Sequence, residues 1–239
     1  MLFLASSSAH LQEFHVSQSS STGDGGAAFL NRSTLVAQNC SWTELQAGGD
    51  GGAIYALASL LHLTDVSLSH SSAVRGGGIA LNSDGSGSNS TQLSLLGAQL
   101  EYLQAAQQGG ALWLFNASTV VDQGFLRNCS SSDGAALWAA DGNLTLNSWS
   151  VMNNEGESNG ALALAGLTAA ISHCTFSGNK APRGSGGAIF AQATSRDMHL
   201  ALYNCTLTNN TAQVDRGRGW GGGFAIALLV AHGRIHFPC

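Results

Sequence analysis

The chain has 239 residues, of which 44% are hydrophobic and only 10% charged, with 31 Gly, 2 Pro and a net charge of −5. So little charge excludes an acidic disordered tail and a long solvated helix. Lys180 is the single lysine, and no basic stripe exists to neutralise phosphates, so a nucleic-acid partner is not expected.

Read from the N-terminus, the dominant signal is repetition. A small-small-small-aliphatic tetrad occurs as Gly25-Gly26-Ala27-Ala28, Gly51-Gly52-Ala53-Ile54, Gly76-Gly77-Gly78-Ile79 and Gly109-Gly110-Ala111-Leu112. It continues as Gly134-Ala135-Ala136-Leu137, Asn159-Gly160-Ala161-Leu162, Gly186-Gly187-Ala188-Ile189 and Gly221-Gly222-Gly223-Phe224. The basic period is about 25 residues, lengthened by insertions near 82–91 and 213–220. Before each tetrad stands a large apolar residue: Val16, Trp42, Leu68, Leu100, Phe125, Val151, Phe176 and Leu207. Five positions on, the residue is always small: Ser21, Ala47, Ala73, Ala105, Ser130, Gly156, Ala181 and Ala212.

Around both markers apolar and polar residues alternate, as in His173-Cys174-Thr175-Phe176-Ser177, which predicts half-buried strands. After the glycines, Ile54, Ile79, Leu112, Leu137, Leu162 and Ile189 form one inward column of a second strand per repeat. Short strands in columnar register predict an all-β, right-handed parallel β-helix of about eight coils over residues 1–239. No run reaches the ~18 apolar residues of a membrane-spanning helix. Both ends, Met1-Leu2-Phe3-Leu4 and Ile235-His236-Phe237-Pro238-Cys239, read as strand without a polar cap, as expected of a fragment of a longer protein.

These markers resemble the repeats of the chlamydial-type polymorphic outer-membrane proteins, whose signatures are Gly-Gly-Ala-(Ile/Leu/Val) and Phe-x-x-Asn. They are clearest in Phe176-Ser177-Gly178-Asn179 with Gly186-Gly187-Ala188-Ile189, while Leu45, Ser71 and Leu103 replace the Asn in earlier repeats. The resemblance implies a pectin-lyase-like β-helix in an extracellular or cell-surface protein.

Asn-x-Ser/Thr sequons at Asn31, Asn39, Asn89, Asn116, Asn128, Asn143, Asn204 and Asn209 exceed the roughly three that composition alone gives. Two readings stand: passage through a glycosylating pathway, or a motif that belongs to the repeat. Asn128, Asn154, Asn179 and Asn210 are expected to form an inward amide ladder, which would leave Asn128 without a glycan. Cys174 and Cys205 fall on consecutive rungs of one inward column with Cys40, either as a disulfide or as stacked thiols.

No zinc spacing or other metal motif occurs, and no cofactor fingerprint is in a fitting context. Asp24 and Asp50 precede their glycine pairs on neighbouring rungs with Arg75 on the next; Asp in that place is more often a turn residue, and the alternative is acid/base chemistry or a Ca²⁺ site for an acidic sugar. Phe29, Tyr55, Trp113, Trp138 and Phe190, with Ala80, Ala163 and Ala225, occupy the outward column of the second strand. That column is the candidate binding surface for glycans or another surface protein, unless its rings serve to stack along the rod. The sequence therefore predicts a non-catalytic surface module for adhesion, binding or structure; the rival is a polysaccharide lyase or hydrolase.

Overall fold

The computed structural model describes residues 1–83 and 91–213, together with the strand backbones Ile226–Leu229 and Gly233–His236. The cores of both expected insertions, and with them Asn89, lie outside the described residues.

The chain winds as a parallel β-solenoid with three sheets, of nine, fourteen and eight strands, whose neighbours are successive coils. The first sheet runs from Leu2–Ala5 through Ala28–Asn31, Ile54–Leu57 and Ile79–Asn82 to Ile226–Leu229. In the second sheet the early and late coils carry a split strand, as Leu60–Thr64 and Ser67–Ser69, and three successive middle coils a continuous one, Thr91–Glu101, Ala117–Arg127 and Asn143–Met152. Every pairing is parallel and in register over its length except at irregularities in the third sheet.

The interior is a stack of aliphatic side chains. Leu30, Ile54, Leu81, Leu112, Leu137, Leu162 and Ile189 are wholly shielded from solvent, and each such side chain contributes about 2 kcal/mol. Between strands the chain turns through left-handed residues that are themselves stacked: Asn39, Asp65, Gln123, His173 and Asn204 in one column, with Gln18, Glu44, His70, Asn128, Asn153 and Asn209 in another. Asn tolerates this conformation better than other side-chain-bearing residues, which explains its frequency here. At Gly51, with φ +69°, a Cβ would collide with the Ile54 carbonyl, so the tetrad's glycine is sterically required.

The register corrects four sequence assignments. Leu126, not Phe125, pairs with Leu100 and Val151, so the inward large residue of that coil is Leu126. Phe125 points outward under the Arg127 guanidinium carbon, 4.6 Å from its ring centroid. The shift of one residue moves Asn128 out of the ladder position and Cys129 into it, and likewise places Ser131 rather than Ser130 opposite Gly156. Its physical source is Trp149, whose buried indole lies across from Gly124, where a Cβ would stand 2.9 Å from Trp149 Cζ2. In the last coil Ile226 pairs with Ile189, so Ala227 lies opposite Phe190; Phe224 and Ala225 lie outside the described residues.

The amides of Asn154, Asn179 and Asn210 link successive rungs. Asn154 Nδ2 donates to Asn179 Oδ1 at 3.0 Å, and Asn179 Nδ2 to Asn210 Oδ1 at 2.8 Å. Each also donates to a carbonyl of the preceding coil: Asn154 to Leu126, Asn179 to Val151 and Asn210 to Phe176. The ladder ends where Asn154 Oδ1 accepts the Cys129 N–H at 2.9 Å. Asn128, by contrast, is a half-buried left-handed turn residue.

Cys174 and Cys205 are neighbours on consecutive coils, and both are free thiols, as are Cys40 and Cys129. Burial pushes the Cys129 and Cys174 thiols up to about 12 and about 11.

Candidate functional site

The column between the two inward positions of the first sheet faces outward. Register aligns Phe3, Phe29, Tyr55, Ala80, Trp113, Trp138, Ala163 and Phe190 along it. Tyr55, Ala80 and Trp113 form a cluster separate from the core, with Phe29, Leu57, Phe115 and Trp138 packed against it. The rings stack in two groups. Phe3, Phe29 and Tyr55 follow one another at centroid distances of 5.4 and 5.3 Å. Trp113 lies 5.8 Å from Trp138 and 5.9 Å from Phe115, both nearly parallel.

Exposure along the column is uneven, which corrects a uniformly open aromatic surface. Tyr55 and Trp113 are 8% and 3% exposed, whereas Phe29, Trp138 and Phe190 are half-buried and Phe3 is 64% exposed. The small side chain of Ala80, between Tyr55 and Trp113, leaves room for the flanking rings to settle onto the sheet.

A polar column borders the rings, built from the residue immediately before the glycine, or first glycine, of each repeat. Register joins Arg75, Gln108, Asp133, Asn159 and Ser185 across successive coils, and Asp24 and Asp50 precede them. Asp24 Oδ1 accepts the Asp50 N–H at 2.8 Å. Asp50, only 7% exposed, accepts both Nε (3.0 Å) and Nη2 (2.5 Å) of Arg75. These two carboxylates thus hold the backbone and a guanidinium rather than converging as an acid/base pair. The Asp50 hydrogen bond raises Arg75 above its ordinary value, and the guanidinium carbon stands 4.2 Å from the Trp113 centroid.

The indole of Trp113 donates to Gln108 Oε1 at 3.2 Å, and Tyr55 Oη accepts weakly from Asn82 Nδ2 at 3.5 Å. Burial raises the Tyr55 phenol. Asp133 receives Asn159 Nδ2 at 2.6 Å, and the neighbouring Trp138 and Gln108 side chains also favour its charged form. Desolvation nevertheless dominates and raises its carboxyl.

The structure therefore brings the aromatic residues and Asp24, Asp50 and Arg75 onto one face. Sequence reasoning missed Gln108 and Asp133, which occupy the place before the tetrad that Asp24 and Asp50 mark, and Asn159, which stands first in its own tetrad and joins the column by pairing with Asp133. Phe3 was missed because its Leu2-Phe3-Leu4 triad follows no tetrad. Stacked ring faces beside amides, carboxylates and a guanidinium can hold a ligand with both apolar ring faces and hydroxyls. Among the described residues no group of three or more His, Cys, Asp or Glu is placed to hold a metal ion.

The sequons acquire a structural reading. Asn39, Asn116, Asn128, Asn204 and Asn209 all lie at corners with φ between 47° and 55°. After each comes an inward Cys, Ala or Asn, then an outward Ser or Thr. Five of the eight sequons thus fall at equivalent corners of the coil, as a motif belonging to the repeat would. Asn31 and Asn143 end and begin strands instead.

Fold and face together define a parallel β-solenoid built from glycine-tetrad repeats. Residues 173–192 match the family model of the Chlamydia polymorphic membrane protein repeat, a family of surface β-helix proteins. The match spans the coil that carries both signatures, Phe176 to Asn179 and Gly186 to Ile189. No curated protein and no solved structure matches the chain. Among the described residues no helix is long and apolar enough to cross a membrane.

Proposed function

We propose that this chain is an extracellular or cell-surface β-solenoid module that binds a glycan, or the ring-bearing surface of another protein, without catalysis. The observation that supports this reading most is the stacked aromatic column bordered by the Asp24 to Asn159 polar column. The half-buried Phe29, Trp138 and Phe190 offer ring faces four and then two coils apart along the column, and the fixed polar groups beside them favour one ligand orientation. The matched repeat family supports a surface location. Asp50 and Arg75 contribute by rigidity: paired with each other, they clamp Trp113 in place.

The rival reading, a polysaccharide lyase or hydrolase, draws on Asp133, whose raised carboxyl sits beside Trp138 as a general acid would. A glycan array followed by chain-length analysis of the retained polysaccharides separates the two. Retention without shortening supports the binding module. Shortened products that Asp133→Asn abolishes would establish the enzyme instead.

A further inference from the structure

A second candidate site lies at the corner where the first sheet hands the chain to the second. In early coils this corner is filled: Ser33 Oγ accepts the Ser7 N–H at 3.2 Å, and Ser59 Oγ accepts the Ser33 N–H at 3.0 Å. Further along, Ala117 and then Gly142 occupy the place of those serines. On these later coils a cleft of about 540 Å³ lies at the corner, lined by residues 116–118, 141–143 and 166–168 together with Arg196 and Asp197.

The far wall is the segment Thr194–Asp197, which folds back over two coils. Arg196 Nη1 donates to the Asp141 carbonyl at 3.3 Å, and its Nε stands 3.8 Å from Asp141 Oδ1. The segment is tied internally, with Thr194 N–H donating to the Arg196 carbonyl and Arg196 N–H to Thr194 Oγ1. Gly166, at φ +55°, lets Thr194 approach, since a Cβ there would collide with Thr194 Oγ1.

We propose that this cleft binds a neutral sugar of one or two rings. Its volume suits a small ligand. Its lining mixes planar acceptors and donors, the Asp141 carboxylate, the Arg196 guanidinium and the Asn116 and Asn143 amides, with the Thr168 hydroxyl. Such groups pair with neighbouring hydroxyls of a sugar, which both donate and accept. Ala117 and Leu167 are the apolar side chains in the described lining, too little for an apolar peptide. Two carboxylates, Asp141 and Asp197, outnumber the one guanidinium, which disfavours uronic acids and other anions. The site lies at a corner, apart from the aromatic column, and its occupancy is independent of the function proposed above. It also competes with glycosylation, because a glycan on Asn116 or Asn143 would fill the cleft.

The test uses the isotope-labelled chain produced without glycosylation, titrated with glucose, galactose, mannose, N-acetylglucosamine and their disaccharides, and with glucuronate. At least one neutral sugar should shift the amide signals of Gly142, Asn143 and Gly166 with millimolar affinity. Arg196→Ala and, separately, the exposed-site variant Asn143→Leu should each weaken that binding about tenfold. Absence of shifts with every neutral sugar, or tighter binding of glucuronate than of any neutral sugar, overturns the proposal. Loss of array binding in the Trp138→Ala variant alone bears on the aromatic face and not on this cleft.

Discussion

The guanidinium carbon of Arg75 stands 4.2 Å from the ring centroid of Trp113, so one cation joins the polar column to the aromatic one. The same group neutralises Asp50, which is almost fully withdrawn from water. Arg75→Gln should therefore destabilise the chain by about 2 kcal/mol, through a carboxylate left unpaired and a lost cation–π contact. Chemical denaturation reads the loss. Tryptophan emission should shift to the red as Trp113 gains solvent, whereas an unchanged spectrum and stability would mean the contact is incidental.

Asn179 is the middle of the amide ladder, with Asn154 donating to it and Val151 and Asn210 receiving from it. Asn179→Ala removes those bonds and leaves buried partners unpaired, at a cost of about 2–4 kcal/mol. Asn128→Ala, at a corner outside the ladder, should cost about 1 kcal/mol, the penalty of a left-handed turn without Asn. Urea denaturation of both variants gives the comparison, and equal losses would contradict the register.

Much of the fold was legible because a coil's interior demands the same residue type at the same place each turn. The glycine tetrad and the Ile54-to-Ile189 column needed only counting. The Asn128 assignment failed where two large apolar residues, Phe125 and Leu126, sit side by side. Alternation alone does not say which one faces in; the bulk of Trp149 on the next coil decides it. The outward direction of the aromatic column was legible from parity. The burial of Tyr55 and Trp113 was not, since it depends on side chains such as Arg75 reaching across from another sheet. The position before the glycines was recognised as chemistry only where it held charges of adjacent coils, Asp24, Asp50 and Arg75. Gln108 and Asn159 carry no charge and gave no signal, and Asp133 stood isolated between them.

Thiol reactivity should follow burial. Cys129 and Cys174, with thiols pushed up to about 12 and about 11, should resist iodoacetamide at pH 8 in the folded chain. Cys205 is partly exposed and should be alkylated before Cys40, Cys129 and Cys174. Peptide mapping after a short pulse checks the order. Prompt labelling of Cys174 in the native state would show the coil opening between Cys174 and Cys205.

Asp133 gives the pH dependence a sign. Its folded carboxyl is raised by burial, so the folded state binds the proton more tightly than the unfolded chain does. That contribution is fully present below the ordinary carboxylate value of about 3.9 and is lost as pH rises through the raised one. Asp133→Asn should remove this step from a plot of Tm against pH. A variant whose Tm falls in parallel with the wild type across that window would assign the step elsewhere.

The outward aromatic column is the proposed ligand surface, and the alternative is that its rings only stack along the rod. Isothermal titration of the best array ligand against the wild type and Trp138→Ala tests it directly, because the half-buried Trp138 is available for contact while Trp113 is covered. In the variant, affinity should fall at least tenfold, equivalent to about 1.4 kcal/mol, with the fold retained. Unchanged affinity together with a lowered Tm would contradict the proposal and leave the column a structural stack.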